Sequence, residues 1–172
     1  MQGSRERLRK NLKGEVLFVL IKVLFFSIIL AGVFVSFFGV VRLDDNSMRP
    51  ALKGGDLVIY SRMRRSYRVS EVVVVKTKKG VQLRRVIARA HDRVTIDDRG
   101  LVINGYPQKE ENIYERTFMS SKGIRFPLKV GRNGYFVLAD RRQSGEDSRI
   151  YGVVNRKDIR GTVVAVIRVR DF

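Results

Sequence analysis

From Val23 to Val41 the chain runs for 19 residues without a charge. No other feature restricts the fold as much. The apolar run begins at Val16, and Lys22 is its one charge in 26 residues. Six of the ten Phe fall between Phe18 and Phe38. About 20 apolar residues, at ~1.5 Å rise each, cross the hydrocarbon core of a bilayer. A helix that is apolar on every face has no side to turn toward water. The run therefore predicts a membrane helix over residues 16–41, with Lys22 early enough to snorkel to the interface. The competing reading is a cleaved signal peptide. That reading asks for an apolar stretch of about 7–15 residues closed by a small-residue cleavage site, and neither is found.

The flanks set an orientation. Residues 1–15 hold Arg5, Arg7, Arg9, Lys10 and Lys13 against Glu6 and Glu15, whereas Arg42, Asp44 and Asp45 follow the run. Basic residues in short flanks stay on the cytoplasmic side. The expected organisation is a cytoplasmic basic tail at 1–15, a single plasma-membrane span at 16–41 and an extracellular domain at 42–172. That domain carries 29 basic and 15 acidic side chains, a net +14 of the whole chain's +18. Such charge attracts anionic headgroups or wall polymers, and outside the cell it does not meet nucleic acid. The absence of Cys excludes a disulfide scaffold, a Cys-ligated zinc site and a Cys nucleophile. With one His, His91, a multi-His metal site is excluded too. No cofactor or metal is expected.

Residues 42–172 read as mostly β. Short Val- and Ile-rich runs occur at 57–60, 72–76, 82–90, 93–96, 101–103, 135–138 and 161–169. Lys79-Gly80, Asp98-Arg99-Gly100, Asn104-Gly105 and Asn133-Gly134 punctuate them as turns. Residues 108–125 are polar and read as a loop. No amphipathic stretch of helical period exceeds two turns. The expected architecture is a compact antiparallel domain, barrel-like or sandwich-like, because small all-β domains manage their edges in these ways.

Four short motifs lie along this domain. Asn46-Ser47-Met48-Arg49-Pro50 comes just after the apolar run, and Gly55-Asp56-Leu57-Val58-Ile59 follows. Then come Leu83-Arg84-Arg85-Val86-Ile87-Ala88 and, last, Asp140-Arg141-Arg142 ahead of Asp147-Ser148-Arg149. In this order and spacing, behind one membrane helix, the chain resembles type I signal peptidases of the short Gram-positive form. The resemblance covers residues 16–166. It implies an exported β-domain that cuts signal peptides from exported preproteins at the outer membrane face.

The resemblance also implies site residues. Ser47 falls at the serine nucleophile, with Met48 and Pro50 completing its box. The family's general-base Lys falls on Arg84, followed by Arg85, which matches the family's Arg. Asp140, Asp147, Ser148 and Arg149 match the box that holds the site together, and Asp147 with Arg149 is expected as a buried ion pair. A hydroxyl is a poor nucleophile without a base. A Lys serves only when burial keeps it neutral. An Arg is never neutral in a protein, so Arg84 cannot take the Ser47 proton and is expected to pair with a carboxylate such as Asp45.

Other positions depart from the family pattern. Asp45 stands where the family places a small residue or Ser, and a carboxylate there opposes a developing oxyanion. The family's second serine falls on Gly145, with Ser144 one residue out of step, and its Gly-Asp-Asn-Arg start reads Ala139-Asp140-Arg141-Arg142. His91, seven residues past Arg84, is about 23 Å away along a straight strand. Lys76, Lys78 and Lys79 lie in the preceding hairpin, where exposure keeps them charged. Three functions are compatible with the sequence: a signal peptidase with an unorthodox base, a non-cleaving relative that holds exported subunits such as those of pili, and a basic module for anionic polymer or lipid.

Overall fold

The computed structural model describes residues 2–110, 113 and 115–168, with side chains described from Gly14 onward. A helix, α1 (Gln2–Phe37), forms one unit, and the chain from Phe38 onward forms the other. The stretch Gly14–Phe37 is long and apolar enough to cross a membrane, and none of it is buried within the protein.

The helix differs from expectation at both ends. Residues 2–15, read as a tail, continue the helix. Their Arg, Lys, Leu and Glu are good helix formers, and extending an existing helix avoids a new nucleation step. At the other end Phe38–Val41, expected within the span, form most of strand β1 (Phe38–Arg42). There Gly39 lies so close to Tyr60 that a Cβ would stand 2.2 Å from its ring. Hydropathy cannot separate an apolar strand from an apolar helix; pairing with a partner strand does.

The second unit is built on two antiparallel sheets. The larger uses β1, β2 (Leu57–Ser61), β3 (Val72–Thr77), β4 (Gly80–Arg89), β9 (Gly134–Leu138), β10 (Val154–Asn155) and β11 (Ile159–Ile167). Its order is β1-β2-β11-β3-β4-β9-β10. The smaller sheet, ordered β7-β6-β5-β8, uses β5 (Arg93–Asp97), β6 (Gly100–Ile103), β7 (Tyr106–Pro107) and β8 (Leu128–Lys129). Among the described residues neither sheet closes, so the barrel form is not adopted and the sandwich-like form remains compatible. A short helix, α2 (Ser148–Tyr151), follows β9, and a 3-10 turn at Arg156–Asp158 precedes β11.

Three apolar clusters hold these layers. Val73, Val75, Val86 and Val137 pack with Tyr67 and Tyr135 on one face of the large sheet. Leu43, Met48, Leu52, Val58 and Leu83 form a second cluster beneath the β1–β2 connection. Val94, Ile96, Leu101, Phe136 and Leu138 join the small sheet to the large one. Each fully buried Val, Leu or Phe is worth about 1.5–3 kcal/mol relative to exposure. Met48 is fully buried, so it anchors the loop that carries Ser47.

Candidate active site

Ser47 sits in the long β1–β2 connection, which is cross-braced. Leu43 N–H donates to Asp56 O at 2.9 Å, and Gly55 N–H returns to Leu43 O at 2.7 Å. The Asp56 carboxylate accepts from Lys53 N at 2.9 Å. Arg141 N–H donates to Ser47 O at 2.8 Å, which ties the serine to the loop after β9. These bonds, with Met48 and Leu52 buried below, fix the Ser47 backbone.

Arg84 comes to the serine from β4, where it pairs with Val73. Its side chain is buried, with the residue 1% exposed. Its Nη1 donates to Ser47 Oγ at 3.0 Å and to Leu83 O at 2.5 Å, and its Nε donates to Glu146 O at 2.8 Å. Ser47 Oγ in turn donates to Asp45 Oδ1 at 2.6 Å. The expected direct pairing of Arg84 with Asp45 is thus replaced by a relay in which the serine hydroxyl stands between cation and carboxylate. Asp45 reaches back only two residues, and the same Oδ1 also accepts from Ser47 N at 2.9 Å. That geometry is a local Asx turn, available to Asp from its short side chain.

The relay decides what the hydroxyl can do. Its oxygen is engaged by a donor that has no acceptor capacity. Its proton is held by a carboxylate. The backbone N–H of the serine, the type of group that oxyanion holes use, is turned onto the same carboxylate. Tyr151 lies within the influence of Arg84: its phenol is pushed up to about 12, chiefly by desolvation, with the Arg84 charge acting in the opposite direction. The residue as a whole keeps 37% of its surface in solvent.

The remaining motif residues form the wall behind the serine. Arg85 grips Asp140 with two hydrogen bonds, one of 2.7 Å from Nε, and donates to Ser70 O at 2.8 Å. Asp147 is fully buried and receives Arg149 Nε at 2.9 Å and Nη2 at 2.8 Å. It also accepts Ala139 N at 3.1 Å and, as the N-cap of α2, Arg149 N at 3.0 Å. Ser148 Oγ accepts from Val137 N at 3.0 Å. Pro50 lies beside this wall and lines a cavity of about 580 Å³ with Ala51, Ile87, Leu101, Arg85 and Asp140.

Gly145 explains a departure from the family pattern. A Cβ built there would stand 2.1 Å from Ala139 Cβ and 3.5 Å from Ser47 Cβ. Positions 139 and 145 therefore compete for one small volume beside the serine. The family pattern puts its side chain at 145 and glycine at 139; this chain does the reverse.

The other candidate bases lie elsewhere. His91 is exposed in a turn with φ 76° at the far end of β4, its N–H bonded to Val130 O at 2.9 Å. Lys76 and Lys78 are exposed, and Lys79 pairs with Glu146 at 2.5 Å. Sequence reasoning missed Arg142, buried and paired with Glu110, along with Glu146 and Tyr151. Arg142 stood inside a quoted motif. Glu110, Glu146 and Tyr151 had no local signal, because their roles come from contacts across the fold.

Ser47 and the buried Arg84 thus meet on an antiparallel β-domain that follows a membrane-length helix in the chain. Residues 16–168 match the family model described as Signal peptidase, peptidase S26, and the chain belongs to that family. Signal peptidase I of Bacillus licheniformis is 29% identical over 163 residues, covering 87% of this chain and 88% of the relative. Signal peptidase I P of Bacillus subtilis subsp. natto is 28% identical over 131 residues, covering 69% and 71%. A solved signal peptidase I from Enterococcus faecalis is 21% identical, with a TM-score of 0.48 over 58% of this chain and 97% of its own. Family and apolar helix together make this a membrane-anchored signal-peptidase-like protein.

Proposed function

We propose that this chain contacts exported preproteins at the outer membrane face and does not cleave them with useful turnover. The observation that carries this reading is the relay Arg84–Ser47–Asp45, with its 3.0 Å and 2.6 Å hydrogen bonds. A Ser/Lys dyad needs a neutral amine that accepts the hydroxyl proton. Here the same place holds a permanent cation that donates. A general base contributes about 10²–10⁴-fold and an oxyanion donor about 10²–10³-fold. The cation at 84 and the engagement of the Ser47 N–H by Asp45 support the loss of both. The retained Arg85–Asp140 and Asp147–Arg149 pairs, and the cavity beside Pro50, support continued peptide contact. Basic residues before the span support a cytoplasmic N-terminus and an extracellular β-domain.

Holding exported surface subunits during assembly, those of pili for example, is one use of such a protein; the resemblance alone suggests it. A second reading is favoured by the 2.6 Å contact. Asp45 would take the proton while Arg84 stabilises the alkoxide. The test is cleavage of a model preprotein by the full chain in detergent, beside cross-linking of the uncleaved preprotein. Cross-linking without cleavage is the expected result. Efficient cleavage abolished by both Ser47→Ala and Asp45→Asn would establish the second reading instead. Protease added outside intact protoplasts should degrade the β-domain, and protection would reverse the orientation.

A further inference from the structure

The β2–β3 connection carries a concentration of charge that the serine site does not use. Arg62, Arg64, Arg65 and Arg68 lie within seven residues, and Arg156, Lys157 and Arg160 lie on the 3-10 turn and the start of β11. The two segments are joined. Arg156 Nε donates to Arg65 O at 2.6 Å and its Nη2 to Arg64 O at 3.0 Å. The Arg156 guanidinium also lies 5.3 Å over the ring of Tyr67, the buried residue that roots the loop. Arg160 occupies the bulge of β11, next to Gly161, whose backbone packs on Ser61 O. Acidic compensation is slight. Glu71 pairs with Arg64, and Asp158 is the other carboxylate of the two segments. Seven basic side chains therefore meet two acidic ones on a rigid frame.

Two further observations give the patch a partner. Phe38, the first residue after the apolar helix, pairs with Ser61, and Arg62 is the next residue. The patch thus begins one strand-pair away from the point where the chain leaves the span. Exposed apolar residues are interleaved with the cations, Met63 at 59% and Val69 at 49%. Cations around protruding apolar side chains suit an interface where headgroup phosphates lie above acyl chains. A soluble polyanion has no use for the apolar members.

We infer that residues 62–69, with Arg156, Lys157 and Arg160, form a binding site for anionic lipid headgroups that docks the β-domain on the bilayer. Each basic residue near an anionic surface contributes about fivefold in binding. Replacing three should weaken docking on the order of 100-fold.

Because the chain has no Cys, Ser66→Cys in the exposed loop accepts a single environment-sensitive fluorophore. The labelled full chain is placed in nanodiscs of phosphatidylcholine alone, or with about 30% phosphatidylglycerol added to supply negative surface potential. In anionic discs the probe should shift to the blue and be quenched by headgroup-labelled lipid. The effect should fade between ~0.1 M and ~1 M salt, as the Debye length falls from about 10 to about 3 Å. The variant Arg65→Gln/Arg68→Gln/Arg160→Gln should abolish it. Arg62→Gln/Lys157→Gln, drawn from both segments, should weaken it in the same direction if the first variant folds poorly. Equal signals in the two disc types, or a variant that still docks, overturn the inference. So does a probe that answers added polyphosphate and ignores lipid composition, since that result reassigns the patch to soluble anionic polymer.

Discussion

Replacing Asp147 by Ala tests the framework behind the serine. The carboxylate is fully buried and receives four hydrogen bonds, two from the Arg149 side chain and one each from the backbones of Arg149 and Ala139. Removing it leaves the Arg149 guanidinium, 8% exposed, without its counter-ion. Breaking one side of a buried pair costs about 3–5 kcal/mol, and losing the α2 N-cap adds about 1 kcal/mol. A domain's whole stability is about 5–15 kcal/mol. At roughly 4 °C per kcal/mol for a domain of this size, the melting point should fall by about 16–24 °C. The assay is thermal unfolding in detergent, followed by the β-sheet circular dichroism signal. The double variant Asp147→Ala/Arg149→Met removes the orphaned charge and should recover part of the loss. A single variant melting within about 3 °C of the parent would refute the reasoning.

Arg84→Lys with Asp45→Gly should raise cleavage of a model preprotein by about 10²-fold or more, because a Lys in that buried position is desolvated toward neutrality; unchanged turnover would move the block elsewhere. Gly145→Ser alone should destabilise the domain by about 1–3 kcal/mol through overpacking on Ala139, measured as a lower melting point. The Tyr151 phenol, pushed up to about 12 by desolvation, starts from about 10 in the unfolded chain. Its contribution to stability is therefore complete below pH ~10 and lost as pH rises toward ~12. Tyr151→Phe should flatten that alkaline loss in melting curves.

The parts of the fold legible in the sequence are those written in local pattern. The apolar run announced α1, and short Val- and Ile-rich runs announced β2 to β6, β9 and β11. Strand β1 was hidden because Val40 and Val41 suit a span as well as a strand; only pairing with β2 separates the two. The two-residue strands β7, β8 and β10 have too few residues for a period. At the site, the identity of Arg84 was legible without any coordinates, and a guanidinium, which keeps its proton in every environment, cannot itself serve as the base. The position of Asp45 was less legible. Charge complementarity suggested a direct pair with Arg84, whereas the short Asp side chain turns back to its own neighbours and meets Arg84 only through the Ser47 hydroxyl. Arg142 with Glu110 and Tyr151 with Arg84 join residues 32 and 67 positions apart in the sequence, and no local pattern encodes such meetings.

The shared volume between Ala139 and Gly145 couples the two positions, so that neither can be changed without regard to the other. A serine enters at 145 only by displacing the methyl of Ala139, 2.1 Å from where the new Cβ would lie. Glycine at 139 relieves the clash in advance, and that step alone only removes a methyl from a packed wall. The family pattern at these two positions is therefore reached at lower steric cost in one order than in the other. Meanwhile a methyl tightens the wall beside Ser47. A change at Arg84 by itself would leave this neighbouring wall as it is.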